Sequence, residues 1–326
     1  MPNQCKAGKF LITSLLVTCG LALAIYKHNT DAITRLAHKE QTDILNISRS
    51  SYQQYEDKLF KSIFRHLLLA QTAQEAEALL SSTKRIRPSD HMENAKLKQK
   101  SDKIFQHDID VESISLLTNG GINILSTDFS LIGRYQPLEN TATLIDPLKS
   151  EEFSLTFLMD PILNKPALYV VLPIRNNIGK RIGYYGLNLN TKSIHQSITE
   201  SANISDLNPP ASVRAVSYTT ANKITEIYEP NSTARYRPMK SKAIINGFNN
   251  MNERYLYLDH LKRPTVGAYA LIDSANMVVL VERQQSILFK REVERLRQVL
   301  AIGMLISFAL FIILTKHKSH SEGAPT

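Results

Sequence analysis

Six side chains in the middle of this chain carry the chemistry to hold a small molecule: Arg134, Tyr135, Asp160, Tyr169, Tyr184 and Asn188. A guanidinium beside a phenol, as in Arg134-Tyr135, suits a carboxylate, because the planar fork can donate two parallel hydrogen bonds to it. Asp160, just before Pro161, is either an acceptor for an amine or a turn residue. Tyr169, Val171 and Pro173 recur at every second position, and so do Tyr184, Gly186 and Asn188, so each set shares a face if its segment is a strand. Tyrosine and asparagine on a sheet face offer hydrogen bonds without commitment to catalysis. The competing roles are a surface-loop arginine for Arg134 and core packing with a satisfied hydroxyl for the tyrosines.

Catalysis and metal binding find little support. His107, Asp108 and Asp110 form an HDID cluster, but a metal needs three or more ligands converging in space and no partner set is evident. There is no G-x-S-x-G elbow, no H-E-x-x-H and no phosphate-cradling glycine loop. The nine histidines are scattered. Neither an enzyme activity nor a cofactor is expected. The formal charge of +9, from 39 Lys and Arg against 30 Asp and Glu, raises the question of nucleic acid. No basic run interleaved with aromatics accompanies it, so the milder reading is a preference for anionic ligands or a membrane surface.

The candidate residues need a sheet to position them. Glu112–Thr118 alternates apolar and polar residues in the period of a half-buried strand, and Ile122–Thr127 returns after Asn119-Gly120-Gly121. Asn-Gly between apolar runs predicts a hairpin with positive φ at both turn positions. Three more strands follow, Glu152–Met159, Ala167–Arg175 and Arg181–Asn190, joined by the turn-rich segments DPILNKP and NNIGK. Five such strands with helices before and after predict an antiparallel sheet of α+β type.

The order of these motifs carries a resemblance. The Asn-Gly-Gly hairpin, Ser126-Thr127, the segment from Asp160-Pro161 to Lys165-Pro166, Leu172-Pro173-Ile174 and the run Ile182–Leu189 together resemble the Cache family. These are PAS-like extracytoplasmic sensor domains of bacterial chemoreceptors, histidine kinases and diguanylate cyclases.

Two uncharged apolar runs of 17 residues, Phe10–Tyr26 and Val299–Thr315, each cover roughly 25 Å and are read as membrane spans. The first also has the basic start and the Ala22-Leu23-Ala24 site of a cleaved signal peptide, but an apparently continuous helix beyond it favours an anchor. Lys6, Lys9, Lys316 and Lys318 put positive charge on both tails, while Lys290, Arg291, Arg295 and Arg297 precede the second span, so orientation rests on the resemblance. The chain then divides into a tail (1–9), a span (10–26), a long helical lead-in (27–110) and a membrane-distal PAS-like module (111–202). A smaller proximal module (203–285), a juxtamembrane helix (286–298), the second span (299–315) and a tail (316–326) complete it. In the lead-in, Ile33, Leu36, Ile44, Ile47, Tyr55, Leu59, Ile63 and Leu67 form an apolar stripe over a helix from Asp31 to about Leu80, followed by a second helix from about His91 to Phe105. Cys5 falls in a tail and Cys19 in a span, so the exported region has no thiol chemistry.

The resemblance covers roughly Asp31 to Gln298 and is similar to the double Cache arrangement. It implies a bacterial inner-membrane protein with its main domain periplasmic. In amino-acid-sensing members an Arg and a Trp two residues apart hold the carboxylate, and carboxylates on the following strands hold the amine. Asp160 stands at the first carboxylate position and Asn188 at the second, normally Asp. The Arg-x-Trp pair has no counterpart, since Asn140, Thr141 and Ala142 occupy that segment and the chain has no Trp. Recognition of a free α-amino acid is therefore in doubt. After the second span only Lys316–Thr326 remains, where most family members continue into an output domain. The expected function is a sensor that binds a small molecule, such as a carboxylate or other anion, in its distal module. It would signal as a homodimer to a separate or missing cytoplasmic output partner, or one in the membrane. The alternative is an exported, membrane-anchored scaffold whose ligand is another protein.

Overall fold

The computed structural model describes residues 2–67, 80, 111–136, 154–159, 166–199, 211–218, 224–228, 238–251 and 255–321. The helix expected over His91–Phe105, the HDID cluster, Asp160 and residues 203–210 of the expected linker lie outside the described residues.

Helix α1, Pro2–Leu67, is one unbroken helix of 66 residues that joins the first apolar run to the lead-in. No proline interrupts residues 3–67, and at 1.5 Å per residue the helix is about 100 Å long. Its threonines cause no break because their hydroxyls turn back onto the preceding turn, as Thr13 does to Lys9 O and Thr18 to Ser14 O.

The first sheet follows: β1 (Val111–Thr118), β2 (Asn123–Ser126), β3 (Ser154–Met159), β4 (Pro166–Arg175) and β5 (Arg181–Leu189). Its order is β2-β1-β5-β4-β3, antiparallel throughout. Helix α2, Thr191–Thr199, then leads to the second sheet. That sheet comprises β6 (Ser212–Tyr218), β7 (Ile224–Glu226), β8 (Leu256–Leu258), β9 (Pro264–Ile272) and β10 (Met277–Gln284), with helix α3 (Lys242–Phe248) between β7 and β8. Its order, β7-β6-β10-β9-β8, repeats the topology of the first. Strand β10 runs through a short helix α4, Gln285–Leu288, into α5, Lys290–Ser321, which holds the second apolar run. The fold is α+β: two PAS-like sheets on one long helix.

The hairpin turn differs from the expected one. Positive φ occurs at Gly121, at 79°, and at neither Asn119 nor Gly120. Thr118 N donates to Ile122 O and Gly121 N to Thr118 O, so the loop has three residues with the left-handed position last. The second glycine, not Asn-Gly, closes the turn.

Both sheets lay one face on a single core. Ile114, Leu116, Leu168, Val170, Leu172, Tyr185, Leu187 and Leu189 of the first sheet meet Tyr52 and Leu59 of α1, and the same cluster continues through Ala215, Ala268, Ala270, Val279 and Val281 of the second. The buried stripe of α1 is rotated from the expected one. Leu36 and Ile47 face outward, while Ala37, Gln41, Ile44, Leu45, Ser48, Tyr52, Glu56 and Leu59 face in. Three polar residues tolerate this burial because each is bonded across the interface. Gln41 Nε2 donates to Val266 O at 3.0 Å, Ser48 Oγ to Ile198 O at 2.9 Å, and Ser274 Oγ to Glu56 Oε2 at 3.0 Å. The cavity beneath Tyr52, Leu168 and Met277 has room for about 10 Å³, no more than one water, and is apolar.

Helices α1 and α5 are each long and apolar enough to cross a membrane. Between them the usual arrangement of side chains is inverted. Leu16, Leu21, Leu305 and Phe308 point outward, whereas Ser14, Thr18, Gly303 and Ser307 line the contact. Ser14 Oγ and Ser307 Oγ are 3.0 Å apart, and a Cβ on Gly303 would collide with Thr18 Cγ2. Small residues four apart on both helices are how apolar helices pack when lipid, not water, surrounds them.

Candidate functional site on the first sheet

The face of the first sheet turned away from α1 is also buried, which explains why ALYVVLPI on β4 reads as a continuous apolar run. Leu117, Ala167, Tyr169, Val171 and Tyr184 form a cluster separate from the main core. The register places Tyr169 opposite Asn188, Val171 opposite Gly186 and Pro173 opposite Tyr184, so the two triplets lie side by side on one face. On the other flank of β5, Ser113 pairs with Asn188, Ser115 with Gly186 and Leu117 with Tyr184.

Gly186 sets the floor of this face. A Cβ there would lie 2.8 Å from Leu117 Cδ1 and 3.1 Å from Tyr169 Cε1, so the Tyr169 ring leans over the bare backbone. Around it, the polar groups are unequally satisfied. Ser115 Oγ and Ser126 Oγ bond each other at 3.0 Å, both fully buried. Asn188, 7% exposed, donates through Nδ2 to Glu112 Oε2 at 3.2 Å, but its buried Oδ1 has no partner among the described residues. A buried acceptor left open costs free energy unless something donates to it. The Arg181 guanidinium lies 5.1 Å from the Tyr184 ring centre, in cation–π range.

Arg134 and Tyr135 are elsewhere. Residues 133–136 run along the free side of β2: Asn123 N donates to Arg134 O at 3.0 Å, Gln136 N to Gly121 O at 2.7 Å, and Ile122 bridges to Tyr135. At about 4.8 Å per strand, this backbone stands about 19 Å from β4. Both side chains are exposed. The structure therefore brings Tyr169, Tyr184 and Asn188 together and sets Arg134 and Tyr135 apart, with Asp160 outside the described residues. Glu112, Ser115 and Arg181 join the group. Ser115 belongs to the alternation of Glu112–Thr118, a different strand from that of Asn188, and the two are brought to one face only by the register of β1 on β5.

No group of three or more metal-ligating side chains occurs among the described residues. Burial alone pushes the Tyr185 hydroxyl up to about 12, but Tyr185 faces α1 and not this site.

No protein-family model matches the sequence, and no curated protein matches it. Solved structures do share its fold. The ligand-binding domain of the Campylobacter jejuni chemoreceptor Tlp3, in complex with 4-methylisoleucine, aligns over 78% of this chain and 94% of its own, with a TM-score of 0.51 and 15% identity. The sensor domain of the V. cholerae histidine kinase DctB aligns over 77% of this chain and 98% of its own, with a TM-score of 0.51 and 14% identity. At such identities the likeness is one of fold. The chain shares the two-sheet fold of these domains.

Proposed function

We propose that this protein is a membrane-anchored extracytoplasmic sensor, with a small-molecule site on the face of the first sheet turned away from α1. The occupant offers a hydrogen-bond donor to Asn188 Oδ1 and packs against Tyr169 and Tyr184. With Glu112 3.2 Å from the Asn188 amide nitrogen, an amine suits this face, whereas the expected carboxylate draws no support from Arg134, three strand spacings from Asn188. The Tlp3 domain, which shares the fold, holds 4-methylisoleucine.

The observation that carries the reading is the wiring of α1. One rigid helix packs on the inner faces of both sheets and extends into the first span, which lies against the second. A ligand that binds two arrangements of the first sheet unequally thereby biases the pair of spans, and a separate output partner reads the difference. The test is a cross-link between Ser14→Cys and Ser307→Cys in the full chain with its native cysteines replaced, followed in vesicles during a screen of amines, amino acids, carboxylates and purines. A compound that alters the cross-linking rate, with no effect in Asn188→Leu, supports the proposal. Compounds that bind without changing the rate refute transmission through the spans.

A second reading, a scaffold that holds another protein, rests on β8 and its flanks, where Met251, Leu256, Leu258 and Leu261 are each about half exposed on an edge strand. Leu258→Lys would then abolish capture of a protein partner and leave small-molecule binding intact.

A further inference from the structure

We infer that the protein has a second ligand site, for a small elongated organic carboxylate, in the cleft between α1 and β9. The cleft has a volume of about 230 Å³. One wall is a stripe of α1, His38, Thr42, Asn46 and Arg49, at the helical spacing that puts all four on one side. The other wall is residues 267–270 of β9, and Tyr255 forms one end.

Three features point to an anion. The lining contains an arginine and a histidine and no Asp or Glu. The Arg49 side chain is exposed and makes no ion pair or hydrogen bond among the described residues, so its guanidinium is available for two parallel bonds to a carboxylate. At the opposite end the His38 ring stacks on Tyr255, with centroids 4.7 Å apart, and its Nδ1 is buried without a partner. The Thr42 hydroxyl is occupied by His38 O, so it contributes shape and not a free donor.

The size and shape limit the occupant. The volume lies below the roughly 300 Å³ at which pockets for drug-sized ligands begin. His38 and Arg49 are 11 positions apart, about 16 Å along the helix axis, so a ligand reaching both ends is long and narrow. A linear dicarboxylate of four to six carbons covers only about half of that length, so it places one carboxylate on Arg49 and lies along the cleft toward the His38–Tyr255 end without reaching it. The site is distinct from the face on the first sheet and stands on different residues. It lies beside the Gln41–Val266 hydrogen bond, so its occupant would brace the joint between α1 and the second sheet.

The test is calorimetric titration of the full chain in detergent with succinate, glutarate, adipate and inorganic phosphate. At least one dicarboxylate is expected to bind, with its dissociation constant raised at least tenfold in Arg49→Ala and binding abolished in Asn46→Trp, which fills the cleft from an exposed position. Asn188→Leu should leave that affinity unchanged, which separates this site from the one on the first sheet. Binding unaffected by Arg49→Ala and Asn46→Trp, binding lost in Asn188→Leu, binding of phosphate alone, or no binding at all would each overturn the inference.

Discussion

Removing the carboxylate of Glu40 probes the joint between α1 and the end of the second sheet. Arg283 is the penultimate residue of β10, just before the chain turns into α4 and α5, and its Nη1 donates to Glu40 Oε2 of α1 at 3.2 Å. The Arg283 side chain is 3% exposed and that of Glu40 21%. Breaking a fully buried pair costs about 3–5 kcal/mol, because the surviving charge is left in the interior. The partial exposure of Glu40 lowers this, so Glu40→Ala should cost about 2–3 kcal/mol. Glu40→Gln keeps an acceptor within reach and should cost about half as much. For a domain of this size, the alanine variant should melt about 5–10 °C lower. The assay is thermal denaturation of the full chain in detergent, with Arg283→Met and the double variant completing a cycle. A loss below about 1 kcal/mol in Glu40→Ala, or strict additivity in the double variant, would show that the contact does not tie incoming helix to outgoing strand.

Asn188→Leu removes a buried acceptor that has no partner among the described residues, together with one hydrogen bond to the exposed Glu112, so the apo protein should melt close to the parent while ligand-induced stabilisation at the first sheet disappears; melting curves with and without ligand check both. Burial penalises the charge of Glu282 and raises its pKa above the ordinary value of 4.5, with Arg214 opposing in part. Folding therefore favours its protonated form: the contribution is intact below about pH 4 and lost as pH rises through the folded value. Glu282→Gln, neutral throughout, should melt higher than the parent at pH 7 and equally at pH 4. Gly186→Ala drives a methyl against Leu117 and the Tyr169 ring and should cost about 1–3 kcal/mol by chemical denaturation. Gly303→Leu forces the two spans apart at Thr18, and the Ser14→Cys/Ser307→Cys pair should then fail to form its disulfide.

The strands were legible because their signals are local. Alternation and turn residues give β1, β4 and β5 within one residue of their observed ends. The continuity of α1 followed from the absence of proline. The face that α1 buries was misjudged because apolar residues alone were counted, and Gln41, Ser48 and Glu56 are buried through hydrogen bonds that no periodicity reveals. Only their chemistry groups Arg134 and Tyr135 with the tyrosines. Pairing of residues 133–136 along the free side of β2 carries them to the sheet edge, and such pairing is decided by register. The cleft beside His38 and Arg49 was invisible for a similar reason. Its walls come from segments more than 200 residues apart, and nothing in either one marks it as half of a site.

The central claim, a small-molecule site on the first sheet, is tested most directly by a thermal-shift screen of the full chain in detergent against amines, amino acids, small carboxylates and purines, with Asn188→Leu and Arg49→Ala in parallel. A ligand at about a hundred times its dissociation constant stabilises by about 2.7 kcal/mol, which a melting curve resolves. The expected result is a donor-bearing compound whose shift is lost in Asn188→Leu and kept in Arg49→Ala. A shift that survives Asn188→Leu, or no shift from any compound, would contradict it.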